Sequence, residues 1–568
     1  MTKITHFRIA SFILTISICL NIPGFLTACA NSPENEGPYD PASVEFSRDA
    51  GAYAEKSFKL ELTAPDGYQI YYTTNGEIPD TTSEKYRKPI QISGNGNNWL
   101  DSETASTLYL EEYYYYQIDA TPDIPDAWII RAVAYAPDGT AGPVVTKTYF
   151  SGLSLEEEYG DVAVISLVTD PEGLLGYEKG IMVKGKIYDE WIGSDESKEL
   201  LEEALYYYYP ANYHQRGKDW EREASFELFD GSDELTLALN CGIRMNGNMS
   251  RAAPHKSFRL YFRGDGKSDE LIYPVFNDLT SEQTGEEITD YKCLILRNGG
   301  NCSQTLMYKD AWQQSLLKDM NFSTQAGRLA ILYLNGEYWG AYVLCERLDE
   351  EYISSHYGVE NVAIIKEDEV QSGGDEGQRL YDELMKFADM DLSEEENWNE
   401  FCEIMDISSM IDYYAVHVYI GNADFRTDKN IQFWRSIDID PDNPYADGKW
   451  RYMLFDTEYS SSLYDEETTS PEYDTLTDVR EANPLFDAAM ENAEFSDQFY
   501  NALEQIGTGP MDAEKAEESL LEWANLWNLY LAKQQLRFGG SLEQDEIEIR
   551  NITDFYRERL DYINDKAE

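Results

Sequence analysis

At 568 residues the chain exceeds what a single hydrophobic core sustains, so roughly two to four folded units are expected. Hydrophobic residues at 42%, aromatics at 13% and 43 tyrosines exclude a disordered polymer. Lys and Arg total 45 against 106 Asp and Glu, and the net charge of −61 repels a phosphodiester backbone and excludes nucleic-acid binding as the general role.

In chain order, Lys3 and Arg8 precede an apolar stretch from Ile9 to Ile22 that is short for a transmembrane helix and runs into Leu26-Thr27-Ala28-Cys29. Residues 1–28 read as a signal peptide, and the small residues before Cys29 resemble those of bacterial lipoprotein precursors. That resemblance implies acylation of Cys29, a polar tether over 29–42 and an extracytoplasmic protein lipid-anchored to the bacterial cell membrane. Five cysteines follow Cys29, with no CxxC pair, which argues against a disulfide scaffold or structural zinc and for buried free thiols. Neither HExxH nor GxSxG occurs.

Residues 43–150 carry period-two runs such as Ser57 to Leu62 and Tyr68 to Tyr72, broken by Asp66-Gly67, Asn75-Gly76 and Asp138-Gly139, which predicts an antiparallel β-sandwich. The run Ile70 to Gly76, with Ile129 to Tyr135, resembles the immunoglobulin-like domain related to the C-terminal domain of chitobiases. Tyr113 to Tyr116 interrupts it and is a strand edge or a sugar-stacking platform. Residues 160–480 mix strands, as at Arg244 to Phe262, Leu294 to Arg297 and Leu329 to Leu334, with helices at Lys309 to Leu317 and Ile407 to Ile420. Residues 481–568 read as helical, with Gly539-Gly540 marking a break. The fold class is therefore α+β: a β-sandwich, a mixed core and a helical C-terminal part.

Three places in the core carry candidate chemistry. Asn246 to Arg251 is a small-residue turn ahead of Pro254-His255-Lys256, where a loop and an ammonium can meet a polyphosphate. Asp424, with Asp428 and Asn430 soon after it, follows a helix, a spacing that suits a carboxylate orienting a hydroxyl and later oxygens holding a metal. Tyr452 to Asp456 is an apolar strand ending in a carboxylate suited to Mg2+. Two further matches fail: Tyr261 occupies the first glycine position of a P-loop ending in Gly266-Lys267-Ser268, and Asn443 replaces the glycine of an EF-hand begun by Asp438, Asp440 and Asp442.

The order of these parts is that of kinase folds. The blocks Leu296 to Asn301, Lys309-Asp310-Ala311, Tyr333 to Tyr342, Glu346 to Asp349 and Asn422 to Arg435 resemble the spore coat CotH kinase family. The resemblance implies a divergent protein-kinase-like domain using ATP and Mg2+ or Mn2+ to phosphorylate Ser or Thr of secreted or surface proteins. It implies Asp424 as the catalytic carboxylate, Lys256 at the nucleotide phosphates with Glu346 pairing to it, Asp456 on the metal and Asn430 or Asp428 as the second ligand. Phe425-Arg426 stands where that family has Trp-Pro, and Asp456-Thr457-Glu458 where it has Asp-x-Asp. The alternative is a non-catalytic surface lipoprotein, a pseudokinase binding a polysaccharide or a partner protein.

Overall fold

The computed structural model describes residues 41–96, 107–108, 124–195, 197, 201, 206–426 and 428–567. The signal peptide, Cys29, most of the tether and Tyr113 to Tyr116 lie outside the described residues.

The alternation near the N-terminus yields strands β1 (Glu45–Phe46), β2 (Gly51–Tyr53), β3 (Ser57–Leu60), β4 (Leu62–Thr63), β5 (Gln69–Thr73), β6 (Glu84–Lys85), β7 (Ile90–Ser93), β8 (Trp128–Tyr135) and β9 (Val145–Ser151). A five-stranded sheet, β2-β9-β8-β5-β6, faces the pairs β3-β7 and β1-β4. Phe58, Leu60 and Ile92 from one layer meet Ile70, Ile130 and Tyr149 from the other, a sandwich core assembled from every second residue.

The mixed region holds β10 (Ala163–Thr169), β11 (Arg222–Asp230), β12 (Leu237–Met245), β13 (Phe258–Tyr261), β14 (Leu271–Ile272), β15 (Asp290–Tyr291), β16 (Cys293–Arg297), β17 (Gly327–Leu334) and β18 (Glu337–Glu346). The order β10-β11-β12-β13-β16-β18-β17 is a closed barrel, shut by parallel pairing of Ala163–Leu167 with Ala330–Leu334, and β14 pairs with β15 outside it. Leu167, Phe226, Ile243, Leu260, Leu294 and Leu344 fill the interior. A second sheet, β20-β19-β21-β22, is built from β19 (Val362–Lys366), β20 (Glu369–Ser372), β21 (Gln432–Ser436) and β22 (Arg451–Tyr452).

Helices follow the 3.6-residue pattern where the sequence predicts them. Lys309–Leu317 begins and ends as expected, and Ile407–Tyr419 starts at Asp406, whose carboxylate accepts the Ser409 N–H. Ala513–Phe538 and Leu542–Ala567 are separated at Gly539-Gly540, where a Cβ on Gly540 would lie 2.1 Å from the Gln304 carbonyl. These C-terminal helices are packed into the body. Gln534 accepts the Ala341 N–H of β18 at 3.0 Å, and Arg559 donates to the carbonyls of Val418 and Tyr419 at 2.6 and 3.1 Å. The five cysteines among the described residues are free thiols, four of them buried. Among the described residues no helix is long and apolar enough to cross a membrane.

The sandwich docks on the barrel through apolar and polar contacts together. Phe150 of β9 meets Phe229 and Tyr333 edge-on at 5.6 and 4.9 Å, and the Ala52 N–H donates to the Asp233 carbonyl at 2.8 Å. Thr148 and Ser166 share a hydroxyl bond of 2.7 Å, while Glu227, 1% exposed on β11, accepts the Thr148 N–H at 3.4 Å. Burial pushes the Glu227 carboxyl up to about 7, against the pull of Thr148 and Lys147.

An acid whose folded pKa lies above its unfolded value of about 4.3 binds its proton more tightly in the folded state, so its contribution to stability falls as pH rises through that window. Urea unfolding between pH 4.5 and 8 is expected to show the wild type losing up to about 3 kcal/mol relative to Glu227→Gln, with the difference complete above pH 7. Parallel pH profiles for the two proteins would refute this assignment.

Candidate functional site

The candidate chemistry gathers where the outer face of the barrel meets the second sheet. Along β16, Leu294 and Leu296 point into the barrel and Ile295 away from it, so the period of two turns Arg297 outward. Its guanidinium donates to Asp310, to Asp456 and to both oxygens of Glu458, the last two bonds at 2.8 Å. The other oxygen of Asp310, in the first turn of Lys309–Leu317, accepts the Thr457 N–H and hydroxyl, each at 2.8 Å. One arginine thereby ties a barrel strand, a helix and the segment after β22.

Water has little access to this cluster, since the side chains of Arg297, Asp310 and Glu458 are 14%, 8% and 3% exposed. Burial opposes the charge of Arg297, but Glu458, Asp310 and Asp456 together hold it well above its ordinary value. Burial, with Asp456 and Asp310 alongside, raises the Glu458 carboxyl despite the arginine. Gly300, at φ +53°, makes the close approach to Glu458 feasible, because a Cβ there would lie 2.1 Å from its Oε1.

The second part of the site follows the helix Ile407–Tyr419. Asn422 caps the loop by accepting the Asp424 N–H at 3.0 Å, and its amide donates to His417 Nδ1 at 3.1 Å. Phe425 stacks on His417 with ring centroids 3.8 Å apart and touches Tyr413 and Tyr414, so an aromatic anchor persists where the sequence lacks Trp-Pro. Arg426 and Lys429 exchange backbone bonds of 3.0 and 2.9 Å, a tight turn that lays the Lys429 ammonium on Asp424. Asn430, buried and in the left-handed region at φ 59°, donates to the Asp424 carbonyl at 2.9 Å and carboxylate at 3.2 Å. Among the described residues its Oδ1 meets no donor.

The third part follows directly. The strand β21 starts two residues after Asn430 and pairs with β19, which sets Lys366 opposite Gln432, whose carbonyl accepts the Met453 N–H at 2.9 Å. Three residues later comes Asp456, also left-handed at φ 59°, a conformation that costs a non-glycine residue energy and is held by its surroundings. The chain beyond it runs against the Asp424 loop, with Ala423 N–H donating to Tyr459 C=O at 3.0 Å and Ser461 N–H to Ile420 C=O at 2.9 Å. Asp424, Asn430 and Asp456 therefore occupy neighbouring segments. No group of three or more metal-ligating His, Cys, Asp or Glu side chains occurs among the described residues. A carboxylate and an amide oxygen, from Asp456 and Asn430, match the needs of Mg2+, which takes one or two protein oxygens and completes its shell with water and phosphate.

Other expected participants are placed elsewhere. Lys256 shares the inward parity of Phe258 and Leu260. Its ammonium donates to the Arg251 carbonyl at 2.7 Å and lies 3.9 Å over the Tyr213 ring, and burial holds it well below the lysine range. It is fully buried, so it is not placed to grip phosphates. Glu346 pairs with His356 at 2.8 Å and accepts the Ala326 N–H at 3.0 Å, not Lys256. The Asp428 side chain is 69% exposed at the tip of the turn, beside Arg426 at 3.3 Å, away from Asp424 and Asn430. Gly266 and Lys267 are exposed in a turn folded over Asp265, and Ser268 is buried beneath it.

Arg297, Asp310 and Lys429 are the participants to which the motifs assigned no role. The signal for the first is an arginine at the outward position of an alternating strand, followed by Asn298, the Gly299-Gly300 turn and, further on, a helix opening with Lys309-Asp310.

A family model described as CotH kinase protein matches residues 243–563, more than half of the chain, and one described as Fn3 associated matches residues 59–149, within the sandwich. No curated protein matches the chain.

Removing Arg297 leaves two buried carboxylates, Asp310 and Glu458, without their cation. Arg297→Ala is expected to cost roughly 3–5 kcal/mol in urea unfolding, and Arg297→Lys less, because it keeps the charge and loses the planar fork. A cost below about 1 kcal/mol for the alanine variant would show that the cluster is not a structural tie.

Proposed function

This chain belongs to the CotH kinase protein family, and from that premise we propose that it transfers the terminal phosphoryl group of ATP to Ser or Thr side chains of secreted or surface proteins. The reading places it outside the cytoplasm, held at the membrane through acylated Cys29, on a divergent protein-kinase-like core. The observation that carries it is the pairing of Asp424 with Asn430 on a segment adjoining Asp456, facing an arginine fixed by a helix carboxylate.

Each residue has a definite task in this reading. Asp424 accepts the hydrogen bond of the incoming hydroxyl and orients its oxygen for in-line attack. Asp456 and the Asn430 amide oxygen hold Mg2+ or Mn2+, which neutralises phosphate charge when bound. Arg297, anchored by Asp310, holds Asp456 in position rather than taking the role expected of Lys256. Its planar fork addresses several acids from fixed directions, as a lysine point charge cannot.

The test is incubation of the purified protein with γ-labelled ATP, Mg2+ or Mn2+ and a Ser/Thr-rich surrogate protein. Asp424→Asn and Asp456→Ala are each expected to lower incorporation by about 100-fold or more. Label transfer that survives both substitutions would reject the assigned site. A wild type inert with every metal and acceptor would favour the non-catalytic surface lipoprotein that binds a polysaccharide or a partner protein.

A further inference from the structure

The helix Ala513–Phe538 has two apolar faces where a surface helix needs one. Leu520, Ala524, Trp527 and Leu531 are buried against the body. On the opposite side Leu526, Leu529 and Leu536 are 51%, 58% and 61% exposed. Six leucines are exposed among the described residues, and five of them lie on this helix or at Leu542, where the next helix begins. That is a patch, not the scatter of single apolar residues that any surface carries.

The outward positions Glu522, Leu526, Leu529, Lys533 and Leu536 follow one another at alternating steps of four and three residues, the spacing of a seam along which two helices pack. Its charges select the occupant. Among the described residues Glu522 forms no ion pair, and Lys533 is joined to Glu158 of its own chain with 24% of its side chain still exposed. An ammonium carries three donors, so Lys533 can serve a second acid. Two copies of the helix laid antiparallel, about a twofold axis between Trp527 and Asn528, bring Glu522 of one protomer to Lys533 of its partner and Leu526 to Leu529, each contact made twice. Laid parallel, the seam sets Glu522 on Glu522 and Lys533 on Lys533, which repel. A lipid surface would have to take up Glu522 between the leucines, with nothing to offset its charge.

We propose that the outer face of Ala513–Phe538 is a self-association surface through which two copies of this chain pair antiparallel. The assignment does not rest on the kinase reading. From Glu522 to Leu536 the seam runs about 21 Å at the rise of a helix. It is small beside the roughly 1,000 Å² of a durable interface, so a reversible dimer with a Kd on the order of 10 µM is expected.

Sedimentation equilibrium of the purified full-length protein, from about 1 to about 200 µM, tests it. The wild type is expected to pass from monomer to dimer across that range. Leu526→Asp and Leu529→Asp are each expected to raise the Kd at least about tenfold, since each sets two carboxylates into the seam. Glu522→Lys, which opposes like charges, is expected to raise it about tenfold, with much of that loss recovered in about 0.5 M salt, a response that a damaged fold would not show. Ile272→Asp, at a position 67% exposed on β14, serves as the unaffected control. A circular dichroism spectrum matching wild type verifies the fold of each variant. The proposal is overturned if the wild type is monomeric at every concentration, if a dimer ignores both leucine changes, or if it ignores Glu522→Lys and so lacks the antiparallel pairing. A monomer that floats with phosphatidylglycerol vesicles and is released by Leu526→Asp assigns the face to a membrane and overturns the proposal as well.

Discussion

The bond set around Arg297 is the constraint on which the site depends. One guanidinium meets three carboxylates, two of them nearly closed to water, so the cluster carries more negative than positive charge in a place where charge is expensive. The surplus is tolerated because burial favours the protonated form of Glu458 and because Asp456 is the most exposed of the three acids, with 39% of its side chain open. Asp456 is thus the carboxylate most able to exchange its partner. A lysine could not replace the arginine, since a single ammonium cannot address Asp310, Asp456 and Glu458 from fixed directions.

Distant parts of the chain serve the same small region. The helix Ile407–Tyr419 delivers the Asp424 loop, and the carbonyls at its C-terminal end are met by Arg559, from the last helix of the protein. A cation at that end satisfies orphan carbonyls and opposes the negative pole of the helix dipole. Tyr556, on the same helix, shares a 2.9 Å hydroxyl bond with Ser461 in the segment after Asp456. The C-terminal helices therefore belong to the scaffold of the site, in keeping with a family match that runs to residue 563.

Regular elements were legible in the sequence because burial imposes a period: 3.6 residues at Lys309–Leu317 and Ile407–Tyr419, two at β3, β7 and β16. Lys256 was misplaced although the signal was present, since the parity that sends Phe258 and Leu260 inward sends Lys256 inward and Arg259 outward. At Glu346 no such signal existed, because every residue of β18 is buried and alternation cannot tell one face from the other. Between Asp424 and Asn430 the choice of ligand depended on a tight turn at Arg426 and Lys429, whose left-handed closure at Asn430 no composition rule specifies. The Arg297 cluster joins residues 13 to 161 positions apart, which sequence pattern alone cannot bring together.

The net charge of −61 and the proposed use of ATP are compatible for a reason of scale. At physiological ionic strength exposed charges are screened over about 8 Å, so the acidic surface governs solubility and approach, while binding at the proposed site responds to the few charges beside Asp424 and Asp456. There the chain sets arginines among the acids. β13 and β16 each turn one outward beside the second sheet, whereas Lys256 is turned inward, where burial holds it well below the lysine range. On the same barrel face Arg244, Arg263 and Arg347 are already held by Glu221 and Asp349.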